Sequence, residues 1–210
     1  NLPHQFSAAV LAEAEKLENF HEIEAHREDF RETAHITIDG ETAKDFDDAI
    51  CVTKTRQGYR LYVSIADVSH FVAPDSAIDQ EAYSRGTSIY FPGRVLPMLP
   101  EKLSNDLCSL VPEQDRLTVS AILDFDRSGT LRDKRFTRSV IRSKQRFTYT
   151  AVHHILIIKD PAARKQFKPF LTQLKWAQEL AIALQNKRKQ RGAIDFNLPE
   201  PLFTLDDAGE

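Results

Sequence analysis

Four aspartates, Asp39, Asp45, Asp47 and Asp48, fall within ten residues of one another in the stretch His35-Ile36-Thr37-Ile38-Asp39-Gly40-Glu41-Thr42-Ala43-Lys44-Asp45-Phe46-Asp47-Asp48-Ala49-Ile50. Crowded carboxylates disfavour one another's ionisation, so a fold keeps such a cluster where a cation or several basic groups neutralise it. Oxygen donors with no His or Cys among them suit Mg²⁺, Mn²⁺ or Ca²⁺ rather than zinc. Asp39 at the end of a predicted strand and the other three in the following loop are positioned to converge. Metal-assisted phosphodiester hydrolysis, in which two hard cations bridge the phosphodiester, needs about this many carboxylates.

Three rival readings are weighed against that one. An EF-hand loop opening at Asp45 requires Gly at its sixth position and Glu at its twelfth, where this chain has Ile50 and Arg56. A phosphotransferase of the Asp-x-Asp type wants its first Asp at the tip of a hydrophobic strand, but Ala43-Lys44 precede Asp45. A solvated acidic turn is the bland alternative. His21-Glu22 and His26 are one residue too far apart to share a helix face as a zinc-protease pair, so they read as surface histidines.

The elements that must hold the cluster follow from periodicity and turn chemistry. Ser7 caps a helix predicted to run to about Phe20, and the acidic residues 21–33 read as an exposed linker. Strands are predicted at 35–38, 49–53 and 59–66, the last two joined at Gln57-Gly58. Asp79–Arg85 reads as a short helix stopped by Gly86. The prolines of 90–100 exclude a helix or central strand and leave a shaped apolar loop. Asp126-Arg127-Ser128-Gly129 joins a long hairpin of 117–125 and 130–141. Residues 148–158 begin as helix, and Asp160-Pro161 opens a helix reaching about Arg191, with Phe167, Leu171, Leu174, Ala177, Leu180, Ala181 and Leu184 on one face. Short strands are predicted at 194–196 and 202–205. The fold class is α+β, mainly antiparallel sheet with packed helices.

Bulk properties narrow the function classes only a little. A net charge of −3 makes no global case for a polyanion binder. The charge is uneven, however: residues 13–32 carry eight acids and three bases, whereas 127–146 carry eight bases and one acid. Arg132, Lys134, Arg135, Arg138 and Arg142 on the hairpin therefore either line a phosphate path or form a solvated sheet face. Two cysteines in unrelated contexts fit neither a disulfide framework nor a zinc site. With no membrane-length apolar run and no signal-like N-terminus, a cytoplasmic protein is expected.

The residues around the cluster carry a resemblance. Thr37-Ile38-Asp39-Gly40-Glu41 and Ala43-Lys44-Asp45-Phe46-Asp47-Asp48-Ala49 resemble the catalytic signature of the ribonuclease II/ribonuclease R (RNB) family of exoribonucleases. The likeness continues through Ile65-Ala66-Asp67-Val68-Ser69, Arg85-Gly86-Thr87-Ser88-Ile89-Tyr90-Phe91-Pro92, Pro97-Met98-Leu99-Pro100 and Leu103-Ser104-Asn105-Asp106-Leu107-Cys108-Ser109-Leu110. Gly40 and Gly86-Thr87-Ser88 look closer to the ribonuclease R type. The resemblance implies processive 3′-to-5′ hydrolysis of single-stranded RNA to nucleoside 5′-monophosphates, with Mg²⁺ (or Mn²⁺ in its place) held by Asp39, Asp45, Asp47 and Asp48 around the scissile phosphate. It ties Asp47 to cleavage more than to binding, and it gives Tyr90 and Phe196 the task of clamping the terminal bases, a contact open to any base. Arg85 is a candidate phosphate contact, although an Arg near a helix end is more often solvated. Asp67 leans to a structural role.

The resemblance also implies what is missing. Residues 1–33 read as helix and linker, and 34–210 as the N-terminal part of a catalytic domain. No Ser-Pro-Ile-Arg motif, and nothing like a cold-shock or S1 module, occurs in this chain. The chain alone is therefore expected to be weakly active or inactive. A non-catalytic RNA-binding relative and a calcium-stabilised loop are the alternatives.

Overall fold

A computed structural model describes residues 3–20 and 22–194. Its centre is a seven-stranded sheet in the order β1-β8-β7-β4-β3-β2-β9. The strands are β1 (Glu28–Phe30), β2 (Ile36–Asp39), β3 (Asp48–Lys54), β4 (Gly58–Ala66), β7 (Asp115–Asp126), β8 (Leu131–Arg142) and β9 (Gln145–Thr148). A separate two-stranded ribbon, β5 (Ile89–Phe91) with β6 (Arg94–Leu96), stands beside it. The helices are α1 (Ala8–Glu15), α2 (Val68–Phe71), α3 (Ala77–Arg85), α4 (Tyr149–His153), α5 (Pro161–Gln166) and α6 (Leu171–Gln190). The α+β class stands: β2, β3, β4, β7 and β8 pair antiparallel in turn wherever they are neighbours, while β1 on β8 and β9 on β2 add parallel edges.

Turn chemistry sets the two hairpins. Gly58 is required where β4 begins, because a Cβ there would run into the Phe125 carbonyl on β7. Between β7 and β8, the Asp126 carboxylate accepts from the Ser128 and Thr130 amides at 2.9 Å, and Gly129 takes φ 77°.

Several expected elements are redrawn. α1 stops at Glu15, where the Lys16 and Leu17 amides turn back to the Glu13 and Ala14 carbonyls; Leu17 still reaches the core from beyond the helix end. The supposed linker 21–33 is not exposed throughout. Arg27 is buried, donating to Asp67 at 2.8 Å, and Phe30 sits edge-on to Tyr62 with ring centroids 5.6 Å apart. The helix expected from 160 to 191 breaks at Pro169, which has no N–H to continue it, so α5, a 3₁₀ turn (Lys168–Phe170) and α6 follow in series. The proline-rich loop contains the β5–β6 ribbon, turned at Gly93 with φ 69°. Residues Lys102–Leu107 and His154–Ile158 are π-helical. The strands expected at 194–196 and 202–205 fall almost entirely outside the described residues.

Three apolar clusters fix the site from below. One, with Phe46, Ala49, Ala66, Leu103, Leu107 and Cys108, lies under the aspartate loop. A second joins Ile36 and Phe147 of the β2–β9 pair to Ile155 and Leu174. The third seats Leu180, with Ala177 and Leu184, on Val52, Tyr59 and Phe125. The face anticipated for the long helix is therefore divided between two clusters along α6.

Candidate active site

The aspartate loop is an Asp-Phe-Asp stretch held by its backbone. Phe46 is buried, so in extended chain its neighbours Asp45 and Asp47 turn the other way. The Phe46 amide donates to the Ser109 hydroxyl at 3.1 Å, and that hydroxyl donates to the Lys44 carbonyl at 2.7 Å. The Leu110 and Ala66 amides donate to the Phe46 and Asp47 carbonyls, each at 2.9 Å. Asp39 closes β2 and Asp48 opens β3, so the sheet itself fixes the two ends.

The charges of Asp45 and Asp48 bear on both Asp39 and Asp47. Burial pushes the Asp39 carboxyl above its ordinary range, and the charges of Asp48 and Asp45 add to this. Asp47 is raised in the same way, by crowding from the surrounding chain first and then by Asp45 and Asp48. The Asp39 Oδ2 atom is buried without a hydrogen-bond partner. An orphaned carboxylate oxygen among like charges is the donor chemistry of a hard divalent cation. Among the described residues, no three His, Cys, Asp or Glu side chains close around one point, so these aspartates form an open mouth rather than a finished cage.

Tyr90 stands at that mouth. Its ring is 64% exposed on β5, and its hydroxyl donates to Asp45 Oδ2 at 2.8 Å. A cavity of about 250 Å³ lies between Asp45, Asp47, Ile65, Tyr90, Met98 and Leu99. A more polar one of about 320 Å³ opens on the other side of Asp45, lined by Thr42, Lys44, Ser88 and Asn105 among others. A larger cavity of about 570 Å³, at the far end of α6, has no carboxylate in its lining and is remote from this chemistry.

Arg85 is corrected. Its side chain is only 3% exposed, and its guanidinium is spent on Glu81 and on the carbonyls of Pro3, Gln5 and Pro97. It ties the N-terminal segment to the loop that carries Tyr90 and has no N–H to spare for a phosphate. Asp67 is likewise occupied, by Arg27 and by the Ser69 hydroxyl at 2.6 Å. On the basic strand, Arg132, Arg135 and Arg142 pair with Asp126, Glu28 and Asp115, whereas Lys134 and Arg138 make no close ion pair among the described residues, although the Arg138 charge helps hold Asp67 down. Phe196 lies outside the described residues.

Sequence reasoning missed Arg146. It lies on β9 opposite Thr37, donates to the Gly40 carbonyl and to that of Glu41 at 3.0 Å, and reaches over the Phe46 ring. One cation thus grips the chain just after Asp39 and reaches the ring that lies between Asp45 and Asp47. The only signal in the sequence was its place at the end of a basic run.

A family model described as the RNB domain matches residues 27–210. The chain belongs to the RNB family. Ribonuclease R of Aquifex aeolicus is 45% identical over 213 residues, which cover 100% of this chain and 30% of that protein. Ribonuclease R of Escherichia coli is 45% identical over 183 residues, covering 87% of this chain and 22% of that protein. Among solved structures, Mycoplasma genitalium RNase R in complex with ribose methylated single-stranded RNA superposes with a TM-score of 0.91 at 37% identity, covering 99% of this chain and 32% of that one. The chain thus spans roughly a third or less of these RNB relatives. No helix among its described residues is long and apolar enough to cross a membrane.

Proposed function

We propose that this RNB chain carries the metal-binding part of an exoribonuclease that hydrolyses single-stranded RNA from its 3′ end, releasing nucleoside 5′-monophosphates. The observation that carries the reading is that the charges of Asp45 and Asp48 bear on both Asp39 and Asp47, at a mouth where the exposed ring of Tyr90 is bonded to Asp45. Likeness to ribonucleases R, one of them named in complex with single-stranded RNA, supports the substrate class.

In this reading Asp39, Asp45, Asp47 and Asp48 hold Mg²⁺, with Mn²⁺ as a substitute, which supplies charge neutralisation at the phosphate and an activated water. The chain's own residues do the rest. Asp39 and Asp48, anchored on strands, fix the outer edges of the site, and the pinned backbone of 44–47 keeps Asp45 and Asp47 from swinging away. Tyr90 offers a flat face to the terminal base, a contact that any base can make.

The test is Asp47→Asn in the complete protein, assayed on a fluorescent single-stranded RNA with Mg²⁺. RNA affinity is retained and turnover falls by orders of magnitude, as loss of a metal ligand requires. Unchanged turnover, with Ca²⁺-linked thermal stability alone affected, would instead make the loop structural.

A further inference from the structure

Five buried side-chain atoms among the described residues have no hydrogen-bond partner, and three of them belong to neighbours on β2 and β9. They are Thr37 Oγ1, Asp39 Oδ2 and Arg146 Nε. Thr37 and Asp39 are two residues apart on β2, so their side chains leave the same face. Thr37 and Arg146 are opposite in the register of the β2–β9 pair, which puts both on that face. A hydroxyl, a carboxylate oxygen and a guanidinium N–H thus share one side of the pair at the first aspartate.

Thr37 is the odd member of the three. It is 1% exposed, on a strand interior to the sheet between β3 and β9. Val would fill the same space, suits a strand as well and has no hydroxyl to strip of water. Elsewhere in this sheet buried hydroxyls satisfy one another: Ser64 bonds Ser120, Ser120 bonds Ser139, and Ser139 bonds Thr118. The Thr37 hydroxyl does not join them. It acts instead on the Asp39 carboxyl, in the direction that favours the charged form. A buried hydroxyl kept at a cost to stability, with one carboxylate to act on, calls for a role at that carboxylate.

We infer that Thr37 is a positioning residue for Asp39: its hydroxyl donates to the inner oxygen, Oδ2, and leaves the second oxygen to the metal ion. The inference rests on the nuclease reading and deepens it, since it names the group that aims one of the four ligands. Thr37 itself touches neither metal nor RNA. Ligating carboxylates are held by hydrogen bonds from behind, and a neutral donor does this without cancelling the charge that a cation needs. Arg146 is the poorer donor for this task, because a bonded guanidinium would compete with the metal for the same carboxylate. Its Nη2 is committed to the Gly40 and Glu41 carbonyls instead.

The test uses the complete protein and reads Mn²⁺ binding directly, by electron paramagnetic resonance without RNA. Thr37→Val keeps the shape of the side chain and removes the hydroxyl; Thr37→Ser keeps the hydroxyl. Thr37→Val is expected to bind Mn²⁺ about 10- to 100-fold more weakly, the range for a lost partner of a metal ligand. Thr37→Ser is expected to bind it close to wild type. Affinity for a fluorescent single-stranded RNA in EDTA is expected to be the same in all three proteins, because Thr37 makes no RNA contact. An equal loss of Mn²⁺ affinity in both variants means that strand packing, not the hydroxyl, holds Asp39, and overturns the inference. Unchanged Mn²⁺ binding in Thr37→Val, while wild-type protein binds the ion and degrades RNA with it, also overturns the inference and leaves the nuclease reading standing. A wild-type protein that neither binds Mn²⁺ nor degrades RNA removes the nuclease reading, and this inference falls with it.

Discussion

The Tyr90 hydroxyl donates to Asp45 Oδ2 at 2.8 Å, so the exposed ring on the β5–β6 ribbon is latched to the aspartate loop. The bond ties the proposed base-stacking ring to a carboxylate of the proposed metal site and leaves the ring exposed. The two contributions separate by substitution. Tyr90→Ala is expected to weaken binding of an RNA 3′ end by about 1–3 kcal/mol, the value of one base–aromatic stack. Tyr90→Phe keeps the stack and should bind nearly as wild type. Fluorescence anisotropy on an Asp47→Asn background reads both, and equal losses in the two variants would move the weight from the ring to the latch.

Arg146 sets the shape of the same loop through the Gly40 and Glu41 carbonyls. Replacing it with Met removes two hydrogen bonds from a charged donor, each worth about 1.5–3 kcal/mol. The expected kinetic signature is a turnover loss of about tenfold or more and a higher Mg²⁺ requirement, with RNA affinity close to wild type. Single-turnover kinetics at several Mg²⁺ concentrations measure this. A loss seen only in RNA affinity would make Arg146 a phosphate contact instead.

The raised Asp39 carboxyl has a sign that can be checked. A group whose folded value lies above its unfolded one contributes stability at low pH, below the unfolded value, and that contribution is lost as pH rises through the folded one. At neutral pH and without metal, ionised Asp39 therefore works against the fold. Asp39→Asn is expected to raise the metal-free thermal midpoint at pH 7. Added Mg²⁺ should raise the wild-type midpoint and have little effect on the variant. Differential scanning calorimetry with EDTA and with Mg²⁺ decides it, and a lower metal-free midpoint in the variant would contradict the account.

His35 runs the other way. It is fully buried; its Nδ1 meets the Thr33 carbonyl at 3.3 Å and its Nε2 the Ser64 hydroxyl at 3.0 Å, at the head of a chain of hydroxyls through Ser120 and Ser139 to Thr118. Burial holds its pKa down to about 4, outweighing the bond to Thr33, and the nearby Lys144 charge adds to the depression. The unfolded chain binds the proton near the ordinary 6.5 while the fold does not, so stability falls as pH drops from about 6.5 to about 4, by roughly 3 kcal/mol across the window. Urea denaturation at pH 7 and pH 5 should show the larger part of that fall in wild type and much less of it in His35→Gln.

How much of this could be read from the sequence depended on the range of the interactions. The hairpins joined at Gly58 and Gly129 follow from local turn chemistry, and the aspartates declared themselves by spacing alone. What escaped was decided by distant partners. Residues 21–33 read as linker because their polarity gave no hint that Arg27 would be buried against Asp67, 40 residues on. β9 is four residues long and has no strand signal of its own, because its strand character comes from pairing with β2. Arg85 and Arg146 illustrate the limit: both are arginines beside loops, and only the carbonyls around them distinguish a tether from a grip on the aspartate loop. Pro169 was the avoidable miss, since its lack of an N–H was visible in the chain.

The parallel pairing of β2 with β9 sets an order of events during synthesis. The strand that ends in Asp39 finds its edge partner, and the loop finds the arginine that grips it, only when residues 106 positions further along have emerged. Until then β2 can pair with β3, but the carboxylates have no fixed outer wall. A growing chain thus carries the aspartates long before it carries the edge strand and the arginine that fix their geometry.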